Sequence, residues 1–87
     1  MKALAKSIEM ISWTEKNGKI HPLKFKFSME SGESHICKVT KTYNFEIEKH
    51  AGNKIYKFTC EIIDNNSIKI CELRYELDSC KWILFKV

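Results

Sequence analysis

The chain has 87 residues, 44% of them hydrophobic and 30% charged, which suits one packed domain over residues 1–87 and is too apolar for a disordered chain. Fifteen basic side chains against eleven acidic ones leave +4, but fourteen of the bases are Lys, beside eleven Ile and five Asn; AT-rich codons produce this bias, so charge alone does not name a nucleic-acid partner. No apolar run reaches the ~18 residues of a membrane span, and Ala3-Leu4-Ala5 is broken by Lys6 and Glu9, so neither a membrane segment nor a signal peptide is expected and the location expected is cytoplasmic.

Apolar residues alternate along the chain, which is the period of a strand. The first turn signal is Asn17-Gly18, a pair suited to a tight type I′ hairpin because both residues tolerate positive φ. With that pair at the tip, Met10 faces Phe25, Ile8 faces Phe27 and Ser12 faces Leu23. Glu9–Lys26, Ile11–Lys24 and Trp13–Pro22 fall on the other side. One face is apolar and the other carries an opposite-charge pair, as a half-buried hairpin requires. Ser28 to Ser34 reads as a polar loop. Residues 36–47 place Cys37, Val39, Tyr43, Phe45 and Ile47 on one parity, interrupted by Lys41, which predicts a strand with a bulge near Lys41. Residues 49–53 form a turn, with Gly52 and Asn53 expected in left-handed backbone.

Two further turns, at Asn65-Asn66 and Asp78-Ser79, set independent registers that agree. The first opposes Cys60 to Cys71, Phe58 to Leu73 and Tyr56 to Tyr75. The second opposes Tyr75 to Trp82, Leu73 to Leu84 and Glu76 to Lys81. Residues 54–87 therefore read as a three-stranded meander with Phe58, Cys60, Leu73, Trp82 and Leu84 on its inner face. Short strands joined by tight turns need closure to hide their edges. The expected fold is all-β: a small antiparallel barrel or strongly coiled sheet of five to seven strands, of SH3-like or OB-like size.

Little chemistry is legible. Cys37, Cys60, Cys71 and Cys80 include no Cys-x-x-Cys pair, so buried thiols are expected and not a zinc site; a reducing cytosol would keep them free. His21, His35 and His50 are far apart and read as exposed polar positions. Glu61, Glu72, Arg74 and Glu76 read as a solvated lattice of charge pairs. No Gly-rich phosphate loop occurs. The sequence nominates no catalytic, cofactor-binding or metal-binding residue, and the expectation is that the protein is not an enzyme.

Several segments resemble a family of short, uncharacterised proteins of low-GC Gram-positive bacteria. They are Asn17-Gly18-Lys19, Pro22-Leu23-Lys24-Phe25, Ala51-Gly52-Asn53, Phe58-Thr59-Cys60, Glu72-Leu73-Arg74-Tyr75-Glu76, and Cys80 through Lys86. The resemblance implies a small all-β bacterial protein and brings no activity and no functional residue with it.

The remaining signal is an excess of outward apolar residues: Ile11, Trp13 and Ile20 in the first hairpin, and Ile63, Ile70, Ile83, Phe85 and Val87 later on. Such residues need a cover. For the last strand the expected cover is the N-terminal hairpin closing the barrel or a second copy of the chain. The function expected is a non-enzymatic protein-interaction module, with a homodimer as one form of it, using a surface that includes Trp13, Lys24, Lys26 and Phe85. The alternative is a small nucleic-acid-binding barrel in which those lysines meet the backbone and Trp13 stacks on bases.

Overall fold

The computed structural model describes residues 1–87. The alternating pattern folds into six strands: β1 (Ala3–Thr14), β2 (Ile20–Ser28), β3 (Ser34–His50), β4 (Asn53–Asp64), β5 (Ser67–Glu76) and β6 (Lys81–Lys86). Each pairs antiparallel with the next, and β6 returns to β1, closing a barrel. The expected small antiparallel barrel is what the chain forms. No helix is long and apolar enough to cross a membrane.

The two later hairpins keep the registers expected of them. Cys60 lies opposite Cys71, Phe58 opposite Leu73, Tyr56 opposite Tyr75, and Tyr75 opposite Trp82. Asn65 and Asn66 both take positive φ, as a two-residue type I′ turn demands. The β5–β6 connection is longer than a two-residue turn. It runs through Leu77 to Cys80, where Cys80 is left-handed and its N–H donates to the Glu76 carbonyl at 2.8 Å.

The first turn differs from the expected type I′. Glu15 N–H bonds the Lys19 carbonyl and Gly18 N–H bonds the Glu15 carbonyl, so the loop holds three residues and only Gly18 is left-handed. Asn17 acts through its side chain instead, accepting from Lys19 N–H at 3.0 Å. The β2–β3 turn repeats the arrangement, with Met29 and Glu33 closing it and Gly32 left-handed. In the β3–β4 turn the left-handed pair is Ala51-Gly52, not Gly52-Asn53, because the turn closes on His50–Asn53.

Single-residue bulges reset the parity that simple alternation assigns. Met10–Phe25 and Ile11–Lys24 pair as expected, but Ser12 then pairs with Pro22 and Trp13 with His21. Leu23 is the extra residue. Pro22 and Ile20 consequently face inward, not outward, and Pro22 is buried. On β3, Thr40 and Tyr43 are both extra. Lys41 between them is turned outward, and Tyr43 leaves the inner face that alternation gave it. On β6 the extra residue is Phe85, which turns Val87 back onto the core.

The core is ten buried residues, including Phe25, Ile62, Leu73 and Leu84 and the thiols Cys37, Cys60 and Cys71. Burying a large apolar side chain contributes roughly 1.5–3 kcal/mol, so a barrel this small depends on each of them. The last strand is covered from within. It lies between β1 and β5, and Lys2 and Val87 exchange backbone hydrogen bonds at its end.

Candidate binding cleft

The β2–β3 seam ends well short of its strands: it holds only from Lys24–Lys38 to Ser28–Ser34. Beyond it β2 continues back to Ile20 and β3 continues to His50 without pairing each other. The sequence dictates where they part. Pro22 has no N–H to give a ladder, and proline is tolerated at an open edge. Leu23 bulges β2, while Thr40 and Tyr43 bulge β3, and bulges bend a strand away from its neighbour.

A cleft of about 550 Å³ opens there. It is lined by residues 17–22 on one side and 42–44 on the other, with Phe45, Ile47, Tyr56 and Phe58 as its apolar floor. The floor is the end of an aromatic cluster that continues into the core. Phe45 meets Tyr56 edge-on at 5.3 Å and Phe58 at 5.1 Å. Phe58 in turn packs on Trp82 at 5.4 Å, and Trp82 on Tyr75 at 4.9 Å. Aromatic pairs at such separations add cohesion beyond area burial.

The polar rim is fixed by hydrogen bonds. Tyr43 OH donates to Glu61 Oε1 at 3.1 Å, and Thr40 Oγ1 donates to Oε2 at 2.7 Å. The Thr40 and Tyr43 bonds hold the Glu61 carboxyl below its ordinary range, and the bond to Glu61 pushes the Tyr43 phenol up. His21 stacks on Trp13 at 4.8 Å and pairs through Nε2 with Glu15. Lys19 and His21 are the basic residues lining the cleft, and no carboxylate lines it.

The surface nominated from sequence is brought together in part. Trp13, Lys24 and Lys26 share the outer face of the first hairpin with exposed Ile11, and exposed Ile36 stands beside Lys26 on β3. Lys24 stands directly opposite Lys38, and none of Lys24, Lys26 and Lys38 has a carboxylate partner among the ion pairs of the chain. Phe85 lies apart from them on β6, capped by the Arg74 guanidinium 3.5 Å above its ring. Arg74 is itself held by Glu72 at 2.7 Å. Lys57 on β4 is taken up by Glu46 and Glu48.

His35 is not the exposed polar residue that the sequence suggests. It is half-buried, stacks on Phe27 at 4.9 Å, and its Nδ1 meets the buried Asp64 at 3.1 Å. Burial pushes Asp64 up, but the His35 and Lys69 hydrogen bonds outweigh it and hold the carboxyl low. The neighbouring Cys37 thiol is pushed up to about 11 by burial and by Asp64. A protonated, buried thiol is not a nucleophile, so this cluster reads as a buried ion-pair anchor.

The cleft residues were missed by sequence reasoning because Phe45 and Ile47 carry the same inward alternation as a core residue. The one signal available was Pro22 inside a strand pattern, which marks an open edge. No family model, curated protein or solved structure matches this chain, so the resemblance to short proteins of low-GC Gram-positive bacteria rests on its sequence segments.

Proposed function

We propose that this chain is a non-enzymatic binding module of the bacterial cytoplasm whose working site is the cleft between the first hairpin and the β3–β4 hairpin, and that the guest is an apolar segment of a partner protein. One observation carries the reading. Phe45 and Ile47 point to the inner side of the barrel, yet they are 44% and 60% exposed. Inward-facing apolar side chains left open at the mouth of a barrel are how such folds hold ligands. The basic side chains of the lining are Lys19 and His21, the latter paired with Glu15, and the rest are amides, hydroxyls, aromatics and aliphatics, which favours holding a guest over transforming it.

The test is the fluorescence of anilinonaphthalene sulfonate, an apolar anion. The unmodified protein is expected to enhance its emission. Phe45→Asp and Ile47→Asp are expected to reduce that enhancement several-fold while the circular dichroism of the sheet is kept. Equal enhancement by all three folded proteins would refute the cleft.

A second reading, binding to single-stranded nucleic acid, is favoured by the Lys24–Lys38 pair. Like charges set directly opposite each other on a sheet oppose folding, and a phosphate backbone would relieve them. Affinity for an oligonucleotide that falls steeply with salt, and falls further in Lys24→Glu, would support it. Trp13, the aromatic on that face, is already stacked on His21, and the residues flanking the lysine pair are isoleucines, which places this reading second.

A further inference from the structure

The open seam offers more than apolar side chains. In the β3–β4 hairpin, closed by the pair His50–Asn53, alternate residues turn their backbone groups toward β4 and away from it. Phe45 and Ile47 fall on the residues that turn away. In the β1–β2 hairpin, closed by Glu15–Lys19, Ile20 likewise turns its N–H and carbonyl away from β1, and Pro22 turns its carbonyl. The β2–β3 ladder has ended at Lys24–Lys38 before any of these residues. None of them takes part in the turn and loop backbone bonds either. Two strand edges therefore flank the cleft with free donors and acceptors, above a floor of Phe45 and Tyr56.

We propose that the seam takes its guest as an added strand: an extended segment of a partner protein inserted between β2 and β3, apolar at alternate positions and acidic between them. This rests on the cleft reading above and names the partner's chemistry. An extended chain satisfies the two edges through its own main chain, the mode by which sheets recruit peptides. Side chains alternate across a strand, so every second residue of the guest meets the apolar floor. The others point to the outer surface, where the closed end of the seam carries Lys24 and Lys38, directly opposed to each other and without a carboxylate partner among the ion pairs. Lys41 faces Glu61 across the β3–β4 ladder and His21 is paired with Glu15, so the two unpaired lysines are the charges that select carboxylates. The bulges at Thr40 and Tyr43 with Lys41 between them also discourage indiscriminate pairing of this edge with another copy.

The experiment uses capped octapeptides alternating leucine with aspartate, the same peptides with lysine for aspartate, and a version of the first N-methylated at every second amide. Binding is followed by calorimetry, and hydrogen exchange of the Ile20, Phe45 and Ile47 amides by NMR. The leucine–aspartate peptide is expected to bind and to slow exchange at those amides at least tenfold. N-methylation and the lysine exchange are each expected to weaken binding at least tenfold. Binding that leaves the amides unprotected, or that ignores N-methylation, overturns strand addition. So does failure of every peptide while the dye still binds in a manner dependent on Phe45. Equal binding of the lysine peptide overturns the acidic preference. Loss of both peptide and dye binding would remove the cleft reading as well.

Discussion

Tyr43, an extra residue in its strand, donates its hydroxyl to Glu61 on the neighbouring strand at 3.1 Å. Thr40, the other extra residue of β3, donates to the same carboxylate. Both bulges that bend β3 away from β2 are thus tied to one side chain of β4. Glu61 links the two bulged residues that flank the cleft.

Glu61→Ala should therefore leave the barrel folded and disturb the cleft. The expected outcome is a several-fold loss of dye enhancement, with shifted NMR signals confined to residues 40–44. The pH dependence has a definite sign. Because the folded carboxyl is held below its ordinary value of 4.5, its contribution is complete above that value and disappears as pH falls through the lowered one. Dye binding by the unmodified protein should fall over that acidic range, and Glu61→Ala should abolish the dependence.

The thiols should separate by burial. Cys37, Cys60 and Cys71 are fully buried, and Cys80 is exposed. Burial pushes Cys71 up to about 12 and Cys37 up to about 11. A maleimide at neutral pH should label the native protein once, at Cys80, and the denatured protein at all four cysteines, as read by mass spectrometry. Cys60 and Cys71 also occupy a directly opposed pair, in which Cα atoms are ~5.5 Å apart when hydrogen-bonded. A strong oxidant acting on partly unfolded protein should link them to each other before either links to Cys37.

Trp82 is 7% exposed and joins Phe58 to Tyr75. Trp82→Ala should cost ~3–5 kcal/mol, a large share of the ~5–15 kcal/mol of a typical domain. Chemical denaturation would show a midpoint near zero denaturant or no folded baseline. A variant that stayed fully stable would show that the aromatic cluster is dispensable.

Phe85 separates two kinds of stabilisation. Phe85→Leu keeps an apolar side chain under Arg74 but removes the ring, and should cost about 0.5–1 kcal/mol through the lost cation–π contact. Arg74→Gln should cost less in that background than in the unmodified protein, the remainder being its pair with Glu72, and a double-mutant cycle measures that coupling. Because β6 is enclosed by β1 and β5, neither change should alter the oligomeric state.

The all-β class, the register of the β4–β5 hairpin, and that of the β5–β6 hairpin as far as Leu73–Leu84 were legible from alternation and turn pairs. There two independent turns constrained one strand, β5. The first hairpin illustrates why legibility stops. Its loop is one residue longer than the expected two-residue turn, and Leu23 bulges to compensate, so Met10–Phe25 pairs as expected while Trp13–Pro22 does not. A bulge inserts one residue without any change of composition, so Thr40, Tyr43, Leu23 and Phe85 look like ordinary strand residues. Each nonetheless reverses the facing of the residues beyond it. The outward placement of Ile20 and Val87 failed for that reason. The cleft lay beyond reach for a related one: it exists because a ladder ends early, and where a ladder ends depends on the summed bulges of two strands.

The order of the seams has a kinetic consequence. Five ladders join strands adjacent in the chain, and only β1–β6 joins residues near the two ends. The meander can therefore form hairpin by hairpin from short-range contacts, while closure must span nearly the whole chain. Loop-closure entropy grows only slowly with length, but it must be met before the ladder returns anything. Closure is then expected late, with Ser7→Gly and Ile83→Ala speeding unfolding far more than they slow refolding. Stopped-flow chevrons would read this directly. The opposite partition, with refolding slowed instead, would make β1–β6 part of the nucleus and the barrel a structure assembled from its seam inward.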